Sequence, residues 1–234
     1  GQAKISATAL TTYLQSPLQF FFKHVAEIKE PPRISQEFEM NLLGTVIHNV
    51  METILKPFKG LQDFTSTKVL SDQINQVDAL IINEIAKQYA LEIKEISELN
   101  SLQRIMHKIA SEYVKMYLEY DADNYQSFRI IELENDEDYV IDFPIQINGK
   151  EETVQIFGII DRVDEVVTEL GEVKKRIVDY KTGVDTVDFK NIEKVFAPNT
   201  SNKALVQTLF YAYVFEEKTG IQNLEPHLYV ARKM

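Results

Sequence analysis

From Ser35 to Phe58 the apolar residues return at helical spacing: Leu42, Leu43, Val46, Ile47, Val50, Met51, Ile54 and Leu55 form one stripe, and Pro57 marks its end. Residues 72–94 and 98–121 predict two more amphipathic helices. Ile74, Val77, Leu80, Ile81 and Ile85 line the inner face of the first, and Leu102, Ile105, Ile109, Tyr113 and Met116 that of the second. The opening ISATALTTYLQSPLQFFFKHV carries two helix starts: Ser6 or Thr8 can cap one, and Ser16 before Pro17 caps the other with proline at the first helical position. Beyond residue 125 the period changes. FRIIELE, DYVIDFPIQI, TVQIFGIIDRVDEVV and KKRIVDYKT are β-rich runs separated by turn chemistry at NDE, Asn148-Gly149 and TELGE, which predicts an antiparallel meander. TSNKALVQTLFYAYVFEEKTG then reads as a helix capped by Thr200 or Ser201 and closed by Gly220, and PHLYVAR as a last strand. This order predicts an α/β fold, a mixed β-sheet flanked by helices, forming one domain over 1–234 with 60–125 as a helical insertion or subdomain.

The meander carries the candidate chemistry. If TELGE is the loop between 154–167 and 173–181, Val167 faces Val173, and the same register places Asp161 opposite Asp179. Directly opposed side chains share one face, with Cβ atoms about 4.5–5.5 Å apart, and Lys181 shares that face because strand side chains alternate. The neighbours Phe157, Ile159, Ile160, Val163, Ile177 and Val178 are apolar, so both acids belong to central, buried strands. Two carboxylates so placed stay ionised only with positive charge between them, which a divalent cation supplies. The bland alternative is a strand-end salt bridge between Asp179 and Lys181, with Asp161 paired to Arg162 or Arg176. A one-residue slip of register would send Asp161 to the other face.

Composition narrows the choices. The 234 residues carry a formal charge of −11, which taken alone argues against a nucleic-acid partner, although net charge does not locate the charge. There is no cysteine, so disulfides, thiolate zinc sites and cysteine-held iron–sulfur clusters are excluded, and any metal sits on oxygen and nitrogen. No run approaches the roughly 18–20 apolar residues of a membrane span, and GQAKISATA lacks the apolar core of a signal peptide, so a cytoplasmic protein without membrane contact is expected. The chain opens on Gly and closes just after a predicted strand, from which a piece of a longer polypeptide is expected.

GIIDRVD, IVDYKTG, and Gln207 with Tyr211 in QTLFYAY, preceded by GTVIHNV with His48 and by SATALTTYLQSPLQFFFKH, resemble in order the motifs of the PD-(D/E)XK nuclease superfamily, in its branch of RecB and AddB nuclease domains. The resemblance implies a restriction-endonuclease-like core. It also implies a DNA nuclease, an exonuclease by expectation, serving a larger repair helicase–nuclease whose helicase is a separate subunit or the remainder of a longer chain. Where many members of the branch place a cluster-binding cysteine, this chain has Ser16, so no iron–sulfur cluster is expected. By the same resemblance His48, Asp161, Asp179 and the main-chain carbonyl of Tyr180 bind the catalytic metal, Lys181 orients the attacking water, and Gln207 and Tyr211 touch DNA backbone or support the site. Hard oxygen ligands suit Mg²⁺, and the imidazole makes Mn²⁺ a substitute. A catalytically silent DNA-binding or scaffolding domain of the same fold is the competing reading. Glu52 and Glu134 are minor candidates for the metal's outer shell. Lys174, Lys175 and Arg176 would lie over backbone phosphates or form a solvated strand end, and Arg162, on the face opposite Asp161, would be a supporting salt-bridge residue.

Overall fold

The computed structural model describes residues 4–28, 36–134, 139–183, 191–198 and 202–233. Strand β1 (Lys4–Ser6) leads into α1 (Ala7–Gln15) and α2 (Pro17–Phe20), followed by a π-helical turn. Ser6 caps α1 by accepting from the Ala9 amide, and Ser16 caps α2 by accepting from that of Gln19, so both predicted starts are real. The long helix α3 (Gln36–Leu55) is followed by β2 (Thr65–Ser66), α4 (Lys68–Gln73), α5 (Val77–Gln88) and α6 (Ser101–Asn124). Strands β3 (Tyr125–Leu133), β4 (Tyr139–Ile147), β5 (Lys150–Gly158), β6 (Arg162–Thr168) and β7 (Val173–Lys181) come next. A short α7 (Ile192–Val195), helix α8 (Lys203–Thr219) and strand β8 (Leu224–Val230) complete the order. The predicted caps Thr200 and Ser201 and the NDE turn at 135–137 lie outside the described residues.

The strands form two sheets instead of one meander. Sheet order is β2-β3-β6-β7-β8 in the larger and β1-β5-β4 in the smaller. The β4–β5 hairpin, turned by Asn148 and Gly149 with φ of 52° and 75°, stands apart, and β3 pairs across it in sequence with β6. Positive φ at both turn residues matches the right-handed twist of the flanking strands. The run 154–167 is accordingly cut: the chain leaves the smaller sheet at Gly158 and enters the larger at Arg162. Ile159 is exposed, contrary to expectation, whereas Ile160 is fully buried.

Each face of the larger sheet has its own core. On one, Val46, Ile47, Leu70, Ile81 and Val114 of α3–α6 pack against Phe128, Val166, Val178 and Tyr180. On the other, Phe210, Val214 and Phe215 of α8 and Ile156 of β5 cover Val163 and Ile177. Burying one such aliphatic side chain is worth about 1.5–3 kcal/mol. Strands β6 and β7 are covered on both sides, so Val163 and Ile177 are buried on one face and Val166 and Val178 on the other.

The inner face of α6 matches the predicted one only in part: Ile109 and Tyr113 pack against the core. Leu102 and Ile105 are exposed, and Met106, Ala110, Val114, Tyr117 and Leu118 point inward. The buried face also carries Gln103, His107, Ser111 and Asp121, which hides it from a hydropathy pattern. Each is satisfied, as buried polar groups must be: Gln103 completes a capping box with Asn100, His107 and Ser111 meet Asp78, and Asp121 meets arginines of the sheet.

Candidate metal centre

Three strand ends and one helix meet at one edge of the larger sheet. Leu133 pairs with Arg162 and Arg162 with Val178, so the end of β3, the start of β6 and the end of β7 lie together. The β6–β7 register is the predicted one, Val167 opposite Val173 and so on to Arg162 opposite Val178. Regular pairing stops there, and Asp161 stands one residue before the strand. It is tied to the sheet by its own side chain, whose Oδ2 accepts from the Tyr180 amide at 2.9 Å. From α3, at the edge of the apolar stripe, His48 reaches the same place.

The geometry around His48 is closed on both ring nitrogens. Nε2 lies 3.1 Å from the Tyr180 carbonyl oxygen, and Nδ1 lies 3.0 Å from Glu134 Oε1 and 3.3 Å from Asp161 Oδ1. A carbonyl and two carboxylates only accept, so the ring donates from both nitrogens as an imidazolium. Burial of the ring opposes that charge, but Asp161 first and Glu134 behind it outweigh burial and hold its pKa well above the ordinary imidazole value. Glu134 follows the end of β3 with φ of 30°, a left-handed backbone that is costly for a glutamate, and its amide donates to the Asp161 carbonyl at 3.0 Å. Burial pushes its carboxyl up against the pull of His48.

On the α8 side of β7 a second chain of contacts begins. Asp179 Oδ2 pairs with Lys181 Nζ at 2.8 Å, Lys181 donates to Gln207 Oε1 at 2.9 Å, and Gln207 donates to the Tyr211 hydroxyl at 2.6 Å. The Tyr211 ring lies so close to Gly158 that a Cβ there would stand 2.5 Å from its Cδ1, which requires glycine at that position. Burial, and after it the charge of Asp161, pushes the Asp179 carboxyl up to about 7 despite Lys181. Lys181 is half-buried, which works against its charge, yet Asp179 holds its pKa above the usual value.

His48, Asp161, Asp179, Tyr180, Lys181, Gln207 and Tyr211 are linked by these contacts at one edge of the larger sheet. Among the described residues, ligand atoms of His48, Glu134 and Asp161 lie within 4.8 Å of one another, a group that could hold a metal ion. Asp179 stands beside this trio, engaged with Lys181, and the expected salt bridge is thus present together with the acid cluster. Arg162 and Arg176 do not pair with Asp161. Arg176 is fully buried and cannot lie over phosphates, and Lys174 pairs with Glu225. Glu52 pairs with Lys56 one turn on. Glu134 ranks low in the sequence because the bulge in β3 between Ile130 and Glu132, which sets its direction, leaves no compositional mark.

The donor set fits a hard divalent cation: carboxylate oxygens, a carbonyl oxygen and the neutral imidazole that His48 would present once an ion displaced its proton, with more acid than nearby base. The profile of the PD-(D/E)XK nuclease superfamily matches residues 4–231, and the chain belongs to that superfamily, with its restriction-endonuclease-like core and its use of divalent metals. It is 28% identical over 202 residues to a subunit of the ATP-dependent helicase/deoxyribonuclease of Caldanaerobacter subterraneus subsp. tengcongensis, covering 82% of this chain and 16% of that protein. To the protein of the same name in Streptococcus agalactiae serotype Ia it is 24% identical over 201 residues, covering 83% of this chain and 15% of that protein. The chain thus spans about a sixth of the length of these relatives. No described helix is long and apolar enough to cross a membrane.

Proposed function

We propose that the chain is a metal-dependent deoxyribonuclease, exonucleolytic in action, working on DNA beside a helicase subunit or helicase segment. The observation that carries this reading is the meeting of the His48–Glu134–Asp161 trio with the Asp179–Lys181 pair at one strand end. His48, Asp161, Asp179 and the Tyr180 carbonyl would hold Mg²⁺, with Mn²⁺ as substitute, and Glu134 would add a further oxygen beside them. The bound ion supplies Lewis acidity toward a phosphodiester and acidifies a water. The names of the relatives support the DNA substrate and the helicase partner.

The protein's own groups do the rest. Lys181, fixed between Asp179 and Gln207, presents a cation to the attacking water and to the charge that grows on the phosphoryl oxygens. Gln207 spends its carbonyl on Lys181 and its amide on Tyr211, so α8 sets the direction of the ammonium group. Asp161, with Oδ2 held by the Tyr180 amide, would turn to the ion its Oδ1, which lies 3.3 Å from His48 Nδ1.

Digestion of end-labelled linear and of circular DNA, single- and double-stranded, with Mg²⁺ and with chelator, tests this. Linear DNA is expected to be shortened from its ends only with metal, and circles are expected to survive. Lys181→Ala should slow cleavage by about 10²–10³-fold. Equal cleavage by that variant would sink the assignment of Lys181, and cut circles would sink the exonuclease.

A further inference from the structure

Immediately beneath the metal centre lies a second charged cluster that the proposed chemistry does not use. Arg162 and Asp164 of β6, Arg176 of β7 and Asp121 of α6 are all 0–1% exposed. Arg176 grips Asp164 with two bonds, Nε to Oδ1 at 2.9 Å and Nη2 to Oδ2 at 2.7 Å, across the directly opposed pair of β6 and β7. Asp121 accepts from Arg162 at 2.6 Å, from Arg176 at 3.1 Å and from the Tyr229 hydroxyl at 2.5 Å. Arg162 also pairs with Asp164 and lies 3.4 Å from the Tyr180 hydroxyl. Two acids and two arginines cancel, and the cluster joins α6 to three adjacent strands.

Its place in the chain is the telling feature. Side chains of a strand alternate, so a residue held on one face fixes the backbone of its neighbours. Arg162 directly follows Asp161, and Tyr180 directly follows Asp179. The Tyr180 amide holds Asp161 and its carbonyl faces His48, while its ring packs over Tyr117 and its hydroxyl faces Arg162. Asp161, outside the regular ladder, has Arg162 as the last paired residue beside it.

We propose that Asp121, Arg162, Asp164 and Arg176 are positioning residues of the metal centre: by fixing Arg162 and Tyr180 from below, they set the spacing of Asp161, His48 and the Tyr180 carbonyl above. The proposal rests on the nuclease reading for its consequence in catalysis, but not for its consequence in geometry. It assigns a role to buried charges that a purely apolar layer would not fill, because bidentate arginine contacts fix direction as well as distance.

The test uses a charge-balanced pair, Asp121→Asn with Arg162→Met, which leaves the Asp164–Arg176 grip in place, and the milder Tyr229→Phe, which alters no charge. Three readouts are compared with wild type: calorimetric Mn²⁺ affinity, kcat and KM on DNA, and the ring ¹⁵N signals of His48 recorded in chelator. The expected results are an affinity weaker by about 10–100-fold, a loss in kcat with KM for DNA held, and His48 signals displaced from their wild-type positions as the ring's distances to Asp161 and the Tyr180 carbonyl change, with smaller changes of the same sign in Tyr229→Phe. Unchanged His48 signals in a folded double variant overturn the proposal. If the double variant does not fold, unchanged signals in Tyr229→Phe overturn it. A wild type that binds no Mn²⁺ fails the nuclease reading instead, and the His48 signals then decide the positioning role by themselves.

Discussion

Two clusters of charge meet at β6 and β7, where Arg162 follows Asp161 and Tyr180 follows Asp179, and they have been driven in opposite directions. Beneath the sheet, burial alone would raise the Asp121 carboxyl, yet Arg162 and Arg176 hold it down at about 2. At the sheet edge, burial and the neighbouring Asp161 raise Asp179 to about 7, and Lys181 only partly opposes them. Burial is the same in both. What differs is the balance: two acids meet two arginines below, whereas Glu134, Asp161 and Asp179 meet Lys181 and the His48 ring above. The lower cluster is electrostatically finished, and the upper one has room for more positive charge. Burial of charge is thus no mark of a functional site by itself; an unbalanced surplus of buried acid is the sharper mark.

The most severe way to break this contrast is to unbalance the lower cluster. Arg176→Met strips Asp164 of its bidentate partner and Asp121 of one of two, and should cost about 3–5 kcal/mol of folding stability, measured by denaturant unfolding. A loss below about 1 kcal/mol would show that water reaches these acids. The next test sets the clusters against each other through pH, in chelator. Between about pH 4 and 7 native Asp179 keeps a proton that the unfolded chain has released, so its contribution falls as pH rises and levels off above its pKa. Asp121 runs the other way: below about pH 4 the unfolded chain takes up a proton that native Asp121 refuses, and stability falls toward pH 2. Asp179→Asn should therefore leave the acid limb alone and melt above wild type by a margin that widens from pH 4 to 7.5, reaching on the order of 3 kcal/mol. Mn²⁺ at pH 7.5 should stabilise wild type and leave Asp179→Asn nearly unmoved. A margin constant across pH would remove Asp179 as the raised acid.

Much of this was legible in the sequence, and the parts that were not have definite causes. The β6–β7 register could be read because TELGE fixes the loop, and the loop fixes every opposed pair as far as Arg162 and Val178. The caps at Ser6 and Ser16 were legible because a serine before a helical run has one cheap way to meet an orphan amide. The break at Ile159–Asp161 was not, since an apolar run passing from one sheet to another looks like an uninterrupted strand. Nor was the inner face of α6, where Asp121 counts as polar in any pattern but is buried by partners that lie 41 and 55 residues away. The candidate residues His48, Asp161, Asp179, Lys181, Gln207 and Tyr211 could be named because their order resembles known motifs, and Glu134 could not be ranked because its direction depends on a bulge and a positive φ.

The finest probe of the contrast alters the upper cluster through a residue that carries no charge at all. Gly158 ends β5 where the chain crosses between sheets, and the Tyr211 ring occupies the space its side chain would take. In Gly158→Ala the new methyl would sit 2.5 Å from Tyr211 Cδ1 and 2.8 Å from Cε1, so the ring must move, and ring and backbone are both too stiff to yield in place. Tyr211 accepts from Gln207, and Gln207 accepts from Lys181, so the displacement travels along those two bonds to the ammonium group. A tenfold loss in kcat, about 1.4 kcal/mol of barrier, is the expected outcome, with Mn²⁺ affinity close to wild type because no ligand atom has been touched. Tyr211→Phe, which keeps the ring and loses the hydroxyl, should reproduce the kcat effect without the steric one. Loss of Mn²⁺ binding in Gly158→Ala would instead show that the crossover itself holds Asp161, and that the two halves of the upper cluster, trio and lysine chain, form a single mechanical unit.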